Sequence, residues 1–474
     1  MIEAIVVSLS IILLIAYKKL GKNLSRPSII YIGGFWACSI VAYLWKEEWG
    51  LDKMSGGTFF MIVGGALLFF LVEWYDYRIH TLIDEEESDS DRDSDSEREP
   101  AKEITPLYPI SSFKLVLFFV FQLLSFYMMA KAKMAYAVTD DLATALVEIN
   151  NDEKFNDTLV KLPFYINYPY TLCRQAGYIW CILLPYYQFA SSRFRTQKYL
   201  LALNFFTIVI GILISGSRMG ILNYIVSYIC FFYICYQYKK GWKWGLLPKK
   251  MMALIFILGI LFVGLFQTLS SFVGRENDEA ISMYFAIYCG AQIKNLDDYI
   301  QVPFKQDNKD NLFAQYTISN VYNNIGQRQG SKESRQYSAE LPFNDHGKYP
   351  LGNVYSAYYN YYLDFGYWGI ICAGVMSFVL AIVYRKMQES TFWETGLLNW
   401  GPILYSWLIP FAFLCFFANE FWGTFSIEGV IKALLWWWII LVFFQGNVMS
   451  QEDEIIQDET CVENSNSNKD EGKY

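Results

Sequence analysis

Tyr349-Pro-Leu-Gly-Asn-Val-Tyr-Ser-Ala-Tyr-Tyr-Asn-Tyr-Tyr-Leu-Asp-Phe-Gly-Tyr-Trp-Gly369 is where a long polar interval turns into membrane-length apolar sequence. The interval begins at Arg275, after the apolar run Met251–Leu269, and the quoted stretch feeds the next run, Phe365–Tyr384. No other segment between apolar runs is as long or as mixed in chemistry. Polar chain held between two such runs predicts a sizeable loop outside a bilayer, carried on a helical scaffold.

The rest of the chain has the character of that scaffold. Its 474 residues are 54% hydrophobic, 19% aromatic and only 18% charged, where a soluble chain carries about 25% charge. The apolar residues come in runs of roughly 16 to 22 between charged clusters, the spacing that a bilayer core about 30 Å thick requires of helices. The expected fold class is an all-α polytopic membrane protein. Eleven spans are expected, near 2–19, 28–46, 56–74, 112–130, 169–190, 198–215, 218–236, 251–270, 365–384, 400–418 and 427–446. Ile2–Tyr17 is followed by Lys18 and Lys19 without a cleavage pattern, so it is read as a retained first span.

Basic residues orient the spans. Lys18, Lys19, Lys22 and Arg26, then Arg193, Arg195 and Lys198, then Lys239, Lys240, Lys243, Lys249 and Lys250, and finally Arg385 and Lys386 all fall on one side of an eleven-span chain. That side reads as the cytoplasm, with the amino terminus outside and the carboxyl terminus inside. The expected division is helices one to three over 1–75, an acidic cytoplasmic linker over 76–111, and helices four to eight over 112–270 with an outer segment at 131–168. A large periplasmic loop follows over 271–351, then an interfacial helix with helices nine to eleven over 352–446, and a polar tail over 447–474.

The net charge of −8 comes from one stretch, Asp84–Glu99, and so says little about partners. Its acids are unbroken by any apolar residue, so it reads as a disordered, solvated linker. It lacks the glycine turn and the spaced terminal glutamate of a calcium loop. The cysteines lie mostly within apolar runs (Cys38, Cys181, Cys230, Cys235, Cys372, Cys415) and show neither metal-ligand spacing nor a disulfide framework. Neither a phosphate-binding glycine loop, a zinc motif nor a nucleophile elbow occurs. Hence no metal, cofactor or nucleic-acid partner is expected, and the absence of an internal repeat weighs against an inverted-repeat transporter.

Ionisable residues within or bordering spans are the candidates for chemistry. Arg218 sits in Ile214-Ser-Gly-Ser-Arg-Met-Gly-Ile221, where two apolar runs meet with almost no loop. A guanidinium there, beside free helix-start N–H groups, is suited to grip a phosphate or diphosphate in bidentate fashion. The bland alternative is an arginine that snorkels to lipid headgroups. Arg174 is expected at the same depth in the fifth span, and Arg275 directly follows the eighth.

Tyr284 and Tyr288, one helical turn apart, are suited to stacking on sugar rings or to plain packing. Gln292, Asn353 and Tyr355 complete the substrate-binding candidates. Arg328 and Arg335 read as solvated charge. The tyrosines of Gly352–Asp364 read as an interfacial aromatic belt on a helix lying along the surface. Asp364, at the membrane boundary, is the first candidate base, with a cap or ion-pair role as its rival. His346, the outward-facing histidine, is the second.

Four stretches carry a family resemblance: Arg26-Pro-Ser-Ile-Ile-Tyr31, Ser215-Gly-Ser-Arg218, Tyr284–Gly290, and Asn353-Val-Tyr355 with Leu363-Asp-Phe-Gly-Tyr-Trp-Gly369. In order and spacing they resemble the Wzy-type oligosaccharide repeat-unit polymerases, the O-antigen or capsule polymerase class. The last stretch is the most specific. The resemblance implies an architecture like the metal-independent membrane glycosyltransferases of the GT-C group. It implies undecaprenyl-diphosphate-linked oligosaccharide as substrate in the outer leaflet of a bacterial inner membrane, with membrane lipid, a flippase and a chain-length regulator as partners.

Outer-loop arginines are implicated in that family, which fits Arg218 and Arg275. The glycine that some members place eleven positions after the loop arginine is Ala286 here, so that motif is not carried over. Two rivals remain. An O-antigen ligase commonly has a histidine beside the start of the Asn353-Val-Tyr355 motif, and none stands there. A transporter or flippase of lipid-linked sugars predicts charge spread through many spans, whereas charge here collects at the outer face.

Overall fold

Pro27 opens a helix as its first residue, where a missing N–H costs nothing, and Ser55 opens another by accepting the Thr58 N–H at 3.1 Å. Local signals of this kind set out a molecule that is almost wholly helical. The computed structural model describes residues 1–90, 104–155, 162–215, 219–243, 245–249, 251–253, 281–303, 312–328, 339, 341–347 and 349–446.

The helices are α1 (Ile2–Lys19), α2 (Pro27–Leu44) and α3, which starts at Gly56–Phe59, passes a π-turn at Phe60–Gly64 and continues as Gly65–Ser90. Then come α4 (Ser112–Tyr136), α5 (Leu142–Phe155), α6 (Phe164–Phe189), α7 (Arg195–Gly211) and α8 (Met219–Lys239). After α9 (Ile281–Gln301) and α10 (Ser319–Arg328) lies a small antiparallel hairpin, β1 (Asn344–His346) and β2 (Tyr349–Gly352). The chain ends in α11 (Ala357–Phe365), α12 (Ile370–Gln388), α13 (Trp400–Leu414), α14 (Glu420–Thr424) and α15 (Ile427–Gly446). Seven of the described helices are long and apolar enough to cross a membrane, which makes this a multi-pass membrane protein.

The long helices run between two distinct ends. A Glu3–Lys46 ion pair of 3.0 Å joins the start of α1 to the residues after α2. At the opposite end Arg385 in the last turn of α12 meets Asp76 of α3 at 2.9 Å, and Lys114 of α4 donates to the Phe444 carbonyl of α15 at 3.3 Å. The second is called the basic end and the first, where α9, α10, the hairpin and α11 gather, the loop end.

Between the ends, packing rests on close approach and on paired hydroxyls, as expected where no water drives helices together. Tyr31 stacks on Phe69 at 4.2 Å and donates to the Tyr358 hydroxyl at 2.7 Å, while Ser227 and Ser406 share a hydrogen bond of 2.6 Å. A Cβ on Gly65 would lie 1.8 Å from the Tyr358 hydroxyl, so glycine is what lets α11 seat against α3.

The loop end is fastened by side chains of α9. Asp297 accepts from the Ser55 N–H at 2.8 Å and the Thr58 hydroxyl at 2.7 Å. Asn295 donates to the Val354 carbonyl at 2.8 Å, and Asp298 takes both Lys294 (2.6 Å) and Asn344 (2.9 Å). A Cβ on Gly290 would come within 3.0 Å of the Ala42 nitrogen, which explains how closely α9 lies along α2.

Two expectations are corrected. Span three does not give way to a linker at 76, because the helix continues to Ser90. Charges that mark a span end by hydropathy find partners on neighbouring helices instead: Asp76 meets Arg385, and Tyr77 faces Arg26. The tyrosines of 357–365 do not form a surface belt either. Tyr358, Tyr359 and Tyr361 are fully buried, and the exposed aromatics are Tyr367 and Trp368 beyond them. Rings that pack on one another and on α2, α3 and α9 are better sheltered inside the bundle than at an interface. Most of the expected eighth span, residues 91–103 of the acidic linker and the tail lie outside the described residues.

Candidate functional site

Tyr170, Arg174 and Tyr178 recur every fourth residue of α6 and so share one face of the helix. Near the loop end α8 presents Tyr224 to that face. Tyr224 reaches over because residue 177 is glycine: a Cβ there would lie 2.5 Å from its ring. Its hydroxyl donates to the Arg174 carbonyl at 2.6 Å, and its ring meets Tyr178 edge-on at 5.1 Å. Tyr170 and Tyr178 flank Arg174 on its own face of α6, and Tyr224 packs beside it from α8. Among the described residues no carboxylate forms an ion pair with it. A guanidinium without an ion-pair partner among the described residues has donors suited to an anion.

Glu420 stands at the start of α14, in the short link between α13 and α15. Its carboxylate has no hydrogen-bond partner among the described residues, and burial raises its pKa above the ordinary carboxylate value. Sequence reading missed it; the available signal was an acid in the short link between the runs 400–418 and 427–446.

The raised pKa has a definite sign for stability. The folded chain binds a proton that the unfolded chain releases, so Glu420 costs nothing below its unfolded pKa and costs progressively more as pH rises towards the folded value. Glu420→Gln is therefore expected to unfold at a higher temperature than the wild type at about pH 8 and at the same temperature at about pH 4, in detergent. Equal midpoints at both pH values would show that the carboxylate is not desolvated.

Next to Glu420, Asn419 donates to the Thr317 carbonyl at 2.7 Å, and this leads to Asp364. The Asp364 carboxylate accepts the Tyr316 N–H at 3.0 Å and the Thr317 N–H at 2.6 Å, while Asn360 of the same helix donates to the Tyr316 carbonyl at 3.0 Å. The candidate base is thus engaged as an anchor, holding the segment before α10 against α11. A run of hydrogen bonds thus leads from Asn419, the neighbour of Glu420, through Thr317 to Asp364. Asp364→Ala is expected to free that segment, and faster proteolytic cleavage within 312–318 reports it; Asp364→Asn, with one acceptor oxygen left, should be intermediate. Wild-type cleavage in both would remove the anchoring role.

The remaining candidates scatter. His346 stands apart, packed on Gly50 in the turn between α2 and α3. Tyr284 is buried against Tyr288 at 4.7 Å, and Tyr288 stacks on Phe417 at 6.0 Å. Gln292 is buried and donates to the Tyr288 carbonyl at 2.5 Å. Tyr355 is buried, its hydroxyl donating to the Pro342 carbonyl at 3.2 Å, whereas Asn353 is exposed beside it. These contacts are packing contacts; Asn353 is exposed, and Tyr288 and His346 are half-buried. Arg218 and Arg275 lie outside the described residues, Arg218 directly preceding α8 in sequence.

Fold and site together define a multi-pass helical membrane protein with an arginine near its loop end that has no ion-pair partner among the described residues. No family model, curated protein or solved structure matches the chain.

Proposed function

We propose that the chain is a Wzy-type repeat-unit polymerase, an eleven-span bacterial inner-membrane glycosyltransferase of GT-C-like architecture. In this reading the loop end is periplasmic and the basic end cytoplasmic. The substrates are undecaprenyl-diphosphate-linked oligosaccharide units, and the product is O-antigen or capsular polysaccharide. The observation that carries the reading is Arg174, a cation caged by tyrosines with no acidic partner among the described residues.

A hydroxyl oxygen of the acceptor unit attacks the anomeric carbon at the end of the growing chain. The bond from that carbon to the diphosphate oxygen breaks, and the diphosphate leaves with the electron pair. Arg174, with Arg218 and Arg275, stabilises the charge that builds on it, which is the work a metal ion would otherwise do. The hydroxyl proton passes to a base. Asp364, His346 and Glu420 are the candidates, and Glu420 is favoured because its carboxylate has no hydrogen-bond partner of its own among the described residues.

Deleting the gene and examining surface glycans by gel tests the reading. A polymerase defect leaves single repeat units, and wild type restores the ladder. Arg218→Ala is expected to remain in the membrane yet fail to restore it. Loss of even the single unit on deletion points instead to a ligase or a translocator.

A further inference from the structure

The basic end holds a second arginine, Arg26, which is in a long ion pair with Glu73 but has no hydrogen-bond acceptor among the described residues. The Arg26 guanidinium is clamped between the rings of Tyr77 and Tyr384, each 4.6 Å from its carbon. Its nearest carboxylate, the buried Glu73, lies 3.9 Å away, beyond hydrogen-bond reach, and the other Glu73 oxygen already accepts the Ser28 N–H at 2.6 Å. No hydrogen-bond acceptor for the Arg26 side chain exists among the described residues, and its Nε is wholly buried.

Arg26 lines a cavity of about 380 Å³ that opens at the basic end, with His80 and Arg385 also in its wall. Two acids share the lining, and both are already matched. Asp76 is paired with Arg385 at 2.9 Å and faces His80 at 3.8 Å. Glu389 is paired with Lys386 at 3.2 Å and faces Arg385 at 3.9 Å. The two rim residues thus already have carboxylate partners, whereas Arg26 has no hydrogen-bonded one among the described residues. What the lining lacks is an acceptor for Arg26. A guanidinium fixed in orientation by two rings, with several N–H groups unmet, matches the paired oxygens of a phosphate.

We propose that this cavity is a phosphate-recognition site, with Arg26 as its principal donor and His80 and Arg385 on its rim. The ligand is a phosphate ester or phosphate ion, supplied either as a phospholipid headgroup from the leaflet beside this end or from solution. The site is separate from Arg174 and does not depend on the polymerase reading.

The test uses the full-length protein purified in neutral detergent. One arm is native mass spectrometry for a retained phospholipid; the other is calorimetric titration of delipidated protein with inorganic phosphate. Two variants accompany the wild type. Arg26→Gln with Glu73→Gln removes both charges together, leaving no buried carboxylate unpaired. Thr81→Phe narrows the cavity from its wall and leaves the Arg26–Glu73 pair untouched.

The expected result is binding by the wild type that falls at least ~10-fold in both variants, while both keep wild-type helicity. One phospholipid retained by the wild type and lost from the variants assigns the headgroup as source. Phosphate binding without a retained lipid assigns the soluble source. Absence of binding in both arms, or binding equal across wild type and variants, overturns the proposal.

Discussion

Arg174→Ala is expected to lower polymer formation at least ~100-fold, the scale on which removing a preorganised charge from a leaving group acts. The protein should still accumulate in the membrane at its normal level. The structure separates the two effects. Arg174 makes no ion pair among the described residues, so its removal strands no buried carboxylate there, and the tyrosine cage can close over the space. Arg174→Lys should recover little, because an ammonium cannot hold two phosphate oxygens in one plane. Repeat-unit ladders, scored beside an immunoblot of the membrane fraction, give the measurement. A normal ladder from Arg174→Ala would remove the residue from the mechanism.

The second large effect concerns stability. Gly65→Ala drives a methyl group to within 1.8 Å of the Tyr358 hydroxyl, and both helices at this contact are fixed by other interactions. Tyr358 cannot swing away without breaking its 2.7 Å bond from Tyr31 and its packing on Phe35. The expected cost is about 1–3 kcal/mol, typical of overpacking a filled interior. Tyr358→Phe removes the nearest clashing atom at the cost of one hydrogen bond and leaves the ring carbons at 2.5 and 2.7 Å, so the relief is partial and the double variant should be modestly more stable than the sum of the two single changes predicts. Thermal unfolding of the four proteins in detergent reads this coupling. Simple additivity would mean that α3 and α11 separate more easily than their geometry implies.

The scaffold was legible wherever apolar length and basic flanks agreed. Pro27–Leu44, Ser112–Tyr136 and Met219–Lys239 overlap the spans expected from the sequence. Where polar residues are satisfied by distant parts of the chain, hydropathy misleads. Asp76 looks like the end of a span until Arg385, remote in sequence, is seen beside it. Arg26 counts as one more basic residue in a flanking cluster until Tyr77 and Tyr384 close on it.

The same reason explains the tyrosines of α11. Composition alone does not distinguish a ring at an interface from one buried against α2, α3 and α9. The candidate site was half visible. Arg174 was named from its depth in a span, but its cage depends on Gly177 and on Tyr224 from another helix, and Glu420 carried no motif. Asp364 was read as a base or a cap, and its geometry is that of the second, an acceptor for two backbone N–H groups.

The most direct test of the central proposal is reconstitution. The purified protein in liposomes, given undecaprenyl-diphosphate-linked repeat units and a chelator, is predicted to yield a ladder of lengthening glycans. Each new linkage should release one undecaprenyl diphosphate. Units that stay single, whether they remain in place or cross the bilayer intact, would contradict it.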